Sequence, residues 1–306
     1  MSGIPIVDIS PFASPTQHSD DERAATAENW DHVMSSLGFA QVCGHGVHPE
    51  LIAELRLAAG RFFGLSMEDK MSFSHGSYGS KGGGYTAQGV ESVARTLGGK
   101  AAPPDHVENY VFRGRPEHWG ADCASDPEAL PAHAPDLASV GPRYFAALEG
   151  VVAALNRMSA VALHLDQDYF DSFYSPGDCA LRLAHYPPLP SPSSGGVLEG
   201  QLRYGAHTDY QGFTVLLQDH RDVGQLDAGG LEVQVAAAAE HHAAAAECSR
   251  ETAGHGNDET LTEQQWMAVT PKYACCASVF QLVFCVACHS PVALHLCYSS
   301  KCRAGC

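Results

Sequence analysis

Apolar positions recur along this chain at two different spacings, and the change between them divides it. Over residues 22–37, ERAATAENWDHVMSSL, the residues Ala25, Trp30, Val33 and Leu37 fall at roughly helical intervals, and Gly38 supplies a stop. PELIAELRLAAGRFFGL predicts a second helix, with Pro49 in its first turn and Leu51, Leu55 and Ala58 on one side. A third, over residues 141–165, carries Phe145, Leu148, Val152, Leu155 and Leu163 as core contacts. Between these lie strand-like pieces, IPIVDIS at residues 4–10 and FAQVCGHGV at 39–47, and a glycine-rich loop over residues 76–89. That loop lacks the GK[ST] ending and the preceding strand of a phosphate-binding loop. From Ala180 onward the pattern turns strand-like: LRLAHYP, YGAHTD, FTVLLQ and LEVQV, punctuated by Gly and Pro. Helices followed by short strands predict helices packed on a β-sandwich or jelly roll.

The text changes again near residue 235. VAAAAEHHAAAAECSRETAGHGNDET is low in complexity and reads as an inserted solvated tract, His241 and His242 included. EQQWMAV briefly restores a strand pattern, and a cysteine-rich tail follows. Of 11 cysteines, only Cys43, Cys123 and Cys179 precede residue 247. A secreted disulfide scaffold would spread its cysteines through a small fold, so the tail differs in kind from the rest. Within it, CVACH at residues 285–289 matches haem attachment only formally, and a single C-x-x-C pair makes a weak zinc site. Residues 274–298 carry no charged side chain, but Gln281, His289, Pro291 and His295 suit a bilayer centre poorly. The simplest reading is that the tail is foreign to the fold. The expected organisation is an N-terminal region over residues 1–140, a core over 141–271 with an insertion at 235–262, and the atypical tail at 272–306.

Charge narrows the function. A net charge of −17, with no run of Lys or Arg, argues against a nucleic-acid partner. MSGIPIVDISPF lacks a charged leader and a sustained apolar stretch, so a cytoplasmic location and no membrane partner are expected. A small-molecule substrate is the remaining expectation, and nothing in the sequence fixes the oligomeric state.

The sharpest chemical signal is AHTDYQGFTVLLQD at residues 206–219. On a strand, residues two apart share a face, so His207 and Asp209 project together while Thr208 points away. An imidazole and a carboxylate held this way make half of a metal site.

Taken in order, IPIVDIS, GFAQVCGHGV, FFGLSMEDK, GYTAQGVESV, DHVENYVF, ALHLDQDYFD, LRLAHYPPLP and AHTDYQGFTVLLQD with GGLEVQ resemble the Fe(II)/2-oxoglutarate-dependent dioxygenases. The branch they resemble is that of isopenicillin N synthase, over about residues 4–234. The resemblance implies a mixed α+β fold, a double-stranded β-helix (jelly roll) core with flanking N-terminal helices. It implies Fe(II) held by a 2-His-1-carboxylate triad, 2-oxoglutarate as cosubstrate, and O2. His207 and Asp209 match two of the three iron ligands. Tyr186 matches a tyrosine that contacts the cosubstrate carboxylate, while the companion Asn two residues earlier is Ala184 here.

The resemblance stops in the tail. The family's second iron His, in an HRV stretch about thirty residues after a Trp matching Trp266, has no clear counterpart. His295 in VALHLC is the preferred candidate and His289 the other. The Arg that pairs with the distal carboxylate of 2-oxoglutarate has only Arg303 as a weak match, close to His295 and without the Ser of the RxS motif. Three functions follow as expectations. The first is an oxidoreductase that couples 2-oxoglutarate decarboxylation to hydroxylation, desaturation or ring closure of a small organic substrate. The second is a catalytically incomplete or truncated family member acting as a binding protein. The third is an oxidase of the same fold that does without 2-oxoglutarate.

Overall fold

The computed structural model describes residues 4–74, 84–93, 103–113, 132–172, 180–188, 190, 196, 198–205, 212–217, 232–236, 264–268 and 280–284. Strand β1 (Ile6–Asp8) leads into the short helix α1 (Ser10–Ala13) and the 17-residue helix α2 (Asp20–Ser36). A capping box starts α2. The Ser19 hydroxyl accepts from the Glu22 amide at 3.2 Å, and the Glu22 carboxylate accepts from the Ser19 amide at 2.7 Å. Its buried stripe is Ala27, Trp30 and Val33: Trp30 and Val33 are buried as predicted, while Ala25 is exposed and Leu37, beyond the helix end, is half-buried. Gly38, at φ 70°, ends the helix as expected, its amide donating to the Met34 carbonyl.

Strand β2 (Phe39–Cys43) is buried at all five positions. Gly44 follows at φ 67°, and a Cβ there would lie 2.1 Å from Asp8 Oδ1, so the turn admits only glycine. Helix α3 (Pro49–Phe63) begins at the predicted proline and buries Ile52, Leu55, Ala58 and Phe62; Leu51 is half-buried. Helix α4 (Met67–Met71) follows a Ser66 cap. The long helix α5 (Pro135–Ala162) starts before the predicted boundary and runs through Pro142. It buries Phe145 and Leu155 as expected, but Val151 rather than Val152, and Leu163 lies beyond its end, exposed. Among the described residues α5 is the one helix long and apolar enough to cross a membrane, yet here it packs against α1, α2 and α3. Trp30 Nε1 donates to Ser159 Oγ at 2.9 Å, joining α2 to α5 through a buried bond.

Three sheets complete the described structure. One runs β1–β2–β9–β6, where β6 is Phe213–Leu216 and β9 is Phe280–Phe284. β1 and β2 are parallel, and β9 lies antiparallel between β2 and β6. Five residues of the cysteine-rich tail thus lie inside a sheet. A second sheet pairs β7 (Glu232–Ala236) with β8 (Gln264–Ala268). The third is fully antiparallel, in the order β3 (Gly84–Thr86), β4 (Glu108–Arg113) and β5 (Ala180–His185). β3 falls within the segment expected to be loop: its glycines hid a strand that β4 supplies with a partner.

Alternation on β4 gives this third sheet two faces. Tyr110 packs edge-on against Phe62 of α3, with ring centroids 4.9 Å apart. Phe112 lies against Gly141 of α5, so closely that a Cβ there would meet its Cζ at 2.6 Å. We therefore expect Gly141→Ala to lower stability by about 1–3 kcal/mol, overpacking outweighing the helix-propensity gain of about 1 kcal/mol. Urea denaturation of Gly141→Ala with and without Phe112→Leu checks this. The substitution should cost less when the ring is gone.

Candidate functional site

The face of the third sheet turned toward the helices carries a buried ionic cluster. Glu108, at 4% exposure, sits opposite His185 in the β4–β5 register. Its Oε2 accepts from Lys70 Nζ of α4 at 2.8 Å and from the Tyr85 hydroxyl of β3 at 2.5 Å. Its Oε1 lies 2.7 Å from His185 Nδ1, which donates. Lys70 Nζ also donates to the Phe63 carbonyl at 3.2 Å, and the His185 ring stacks on Phe63 at 5.0 Å. Burial alone would raise the Glu108 pKa. The bonds from Lys70, Tyr85 and His185, with the Lys70 charge, outweigh burial and hold it below the usual glutamate range. Burial, then the bond and charge of Glu108, push the Tyr85 hydroxyl upward, so it remains a donor.

The four residues of this cluster are scattered from position 70 to 185, and no local sequence pattern links them. Its one visible signal was a carboxylate inside the apolar run HVENYVF, which suits a strand only if the charge is matched.

The opposite face carries Asn109 on β4 with Arg182 and Ala184 on β5, by alternation. Arg182 is bound to Glu91 at 2.5 Å, and its guanidinium lies 4.7 Å from the centroid of the Tyr204 ring. Tyr186 follows β5 and is half-buried; its carbonyl accepts from Arg203 at 3.3 Å. Residues 198–205 are further tied down at Pro104, whose carbonyl accepts from Gln201 Nε2 at 2.9 Å. His106 adds a backbone bond of 2.8 Å to Leu202. Its ring is also held, with Nε2 3.2 Å from the Pro188 carbonyl and Nδ1 2.5 Å from Gln88 Nε2.

These bonds fix the segment that leads into the His-x-Asp motif, and β6 takes up the chain on its far side. His207, Asp209, His295 and Arg303 themselves lie outside the described residues, as does His289. Of the predicted site residues, Tyr186 alone is described. No group of three or more His, Cys, Asp or Glu side chains gathers around a common point among the described residues. The donor set that the motif offers, an imidazole and a carboxylate, still suits a ferrous ion.

The Glu108 cluster makes a stability prediction. Replacing Glu108 by Gln strands the buried Lys70 charge and should cost about 3–5 kcal/mol in urea denaturation. A carboxylate with a lowered folded pKa stabilises fully above its unfolded pKa of about 4.3, and that contribution is lost as pH falls through the folded value. The wild-type protein should therefore lose more stability on acidification than Glu108→Gln does.

Comparison with known proteins places this architecture. Residues 4–136 match the family described as the N-terminal domain of non-haem dioxygenases in morphine synthesis. A validamycin A dioxygenase from Streptomyces hygroscopicus subsp. limoneus is 30% identical over 218 residues. That match covers 70% of this chain, but the chain spans only 57% of that relative's length. A 2-oxoglutarate-dependent dioxygenase from Monascus ruber is 30% identical over 250 residues, covering 76% of this chain and 67% of its own. A full-length Neurospora crassa protein, whose crystal structure was solved in complex with alpha-KG, superposes with a TM-score of 0.64 at 25% identity. That superposition covers 92% of this chain and 72% of the other. The helical layer, the sheets and the ordered motifs thus share one origin: the chain belongs to the Fe(II)/2-oxoglutarate-dependent dioxygenase superfamily.

Proposed function

We propose that the protein oxidises a small organic molecule with O2, using Fe(II) and 2-oxoglutarate, on a jelly-roll core. The observation that carries this reading is the His207-x-Asp209 motif, entered from a segment anchored to the third sheet and followed by β6. His207 would supply an imidazole and Asp209 a carboxylate to the iron, leaving His295 as the third ligand. The bound metal and cosubstrate supply the oxidising chemistry, which succinate and carbon dioxide release accompanies. The chain's own part is to bind and orient. Tyr186 would face the cosubstrate carboxylate, and Arg303 is the candidate partner for its distal end. Solved relatives support a small-molecule substrate: the Neurospora crassa protein has also been crystallised with alpha-KG and thymine. Hydroxylation, desaturation and ring closure are all open to this machinery, because substrate contacts and not the fold decide among them.

A second reading has its own observation. The sequence carries no HRV stretch and no RxS motif in its tail, so the site would be two ligands of a chelating set, and affinity depends on ligand count. His295→Ala separates the two. It should abolish Fe(II) binding if His295 is a ligand, and leave it unchanged if the protein is catalytically incomplete.

The main test is turnover. Incubated with Fe(II), ascorbate, 2-oxoglutarate and a broad panel of substrates, the protein should release succinate, and His207→Ala and Asp209→Ala should each reduce that release at least about 100-fold. Oxygen uptake that needs no 2-oxoglutarate would favour the oxidase, and no succinate under any condition would sink the dioxygenase reading.

A further inference from the structure

The face of the third sheet that carries Arg182 also holds a buried donor with nothing to donate to. Asn109 is 1% exposed, and its Nδ2 finds no hydrogen-bond partner among the described residues. Leaving an amide N–H in that state costs about 1–3 kcal/mol, so a native structure that keeps one commonly has a use for it. Its position is well defined. Glu108, Tyr110 and Phe112 are all committed to the helices, so Asn109 projects the other way.

Directly across the ladder from Asn109 stands Ala184. Cross-strand neighbours have Cβ atoms about 5 Å apart, and a methyl group leaves most of that space open. Ala184 is exposed although its neighbour Asn109 is buried, so one methyl-bearing residue separates the amide from the surface of the sheet. The diagonal neighbour is Arg182, whose charge is already balanced by Glu91 at 2.5 Å. Tyr186 follows two residues after Ala184. The site thus offers a neutral amide donor beside a compensated cation. That suits a carbonyl or carboxylate oxygen better than a phosphate, which would need uncompensated positive charge.

We infer that Asn109 Nδ2 donates a hydrogen bond to a carbonyl or carboxylate oxygen of a small organic acid bound over Ala184. The inference rests on the dioxygenase reading, in which two molecules bring such an oxygen: 2-oxoglutarate and the compound to be oxidised. Ala184 admits either one. Asn109 then acts as a specificity determinant, since a ligand without the oxygen leaves the amide unpaired.

Calorimetric titration of the full chain, loaded with Mn(II) to prevent turnover, tests this without relying on activity. Wild type, Asn109→Ala, Asn109→Leu and Asn109→Asp are titrated with 2-oxoglutarate. They are then titrated, at saturating 2-oxoglutarate, with thymine and a panel of aliphatic and aromatic carboxylic acids. Asn109→Ala and Asn109→Leu should each weaken one of the two binding events about tenfold, within the range of a single hydrogen bond to a charged group. Asn109→Asp should weaken a carboxylate ligand further, by setting one carboxylate against another. A loss in the first titration identifies the cosubstrate as the partner; a loss confined to the second identifies the compound to be oxidised. Wild-type binding of 2-oxoglutarate, with neither titration weakened more than twofold by either apolar variant, overturns the inference and leaves the dioxygenase reading intact. Failure of the wild type to bind 2-oxoglutarate overturns both.

Discussion

A single buried carboxylate orders the region around the candidate site. Glu108 takes bonds from Lys70, Tyr85 and His185, which belong to α4, β3 and β5, while the acid itself lies on β4. One side chain therefore joins four elements. Losing any donor would leave charge or lone pairs uncompensated in a dry interior, so the four elements hold one mutual register. That register decides which residues of β4 and β5 meet the helices and which meet the opposite side. Arg182, Ala184 and Asn109 fall on the second face because Glu108 and His185 are held on the first.

The two faces also differ in kind. The helical face is packed to contact by aromatic rings, with Phe62 meeting Phe63, Phe73, Tyr85 and Tyr110. Among the described residues the other face carries Asn109, Arg182 and Ala184, and the chain that runs into the His-x-Asp motif is moored to it through Tyr204, whose ring lies beneath Arg182. A rigid layer behind a polar working surface is the arrangement a binding site needs, because interaction energy at the front is not dissipated by movement at the back.

Much of the helical layer was legible from sequence, since α2 and α3 obey a 3.6-residue period over several turns. In α2 the wide spacing from Ala25 to Trp30 concealed Ala27, a residue too small to mark a face by itself. In α5, apolar residues at Val151 and Val152 offered two equally good stripes, and packing against α2 and α3 chose between them. β3 was not legible, because three residues among glycines gain strand character only from their partner on β4. Of the candidate site, residue identity was legible through motif order, whereas the Glu108 cluster was not. Its members lie at positions 70, 85, 108 and 185, and only the folded sheet brings them together.

Helix α5 spans 28 residues, about 42 Å, and its helical partners α1, α2 and α3 all come from the chain before it, as does Phe112 of β4. Synthesis from the N-terminus therefore delivers the partners first and the spine last. Once α5 emerges from the ribosome, its contacts with α1, α2 and α3 can form, and those with Leu181, Phe213 and Val215 are added as β5 and β6 follow. The helices can thus come together early, and the strand bearing Arg182 and Ala184 docks onto partners already in contact with one another.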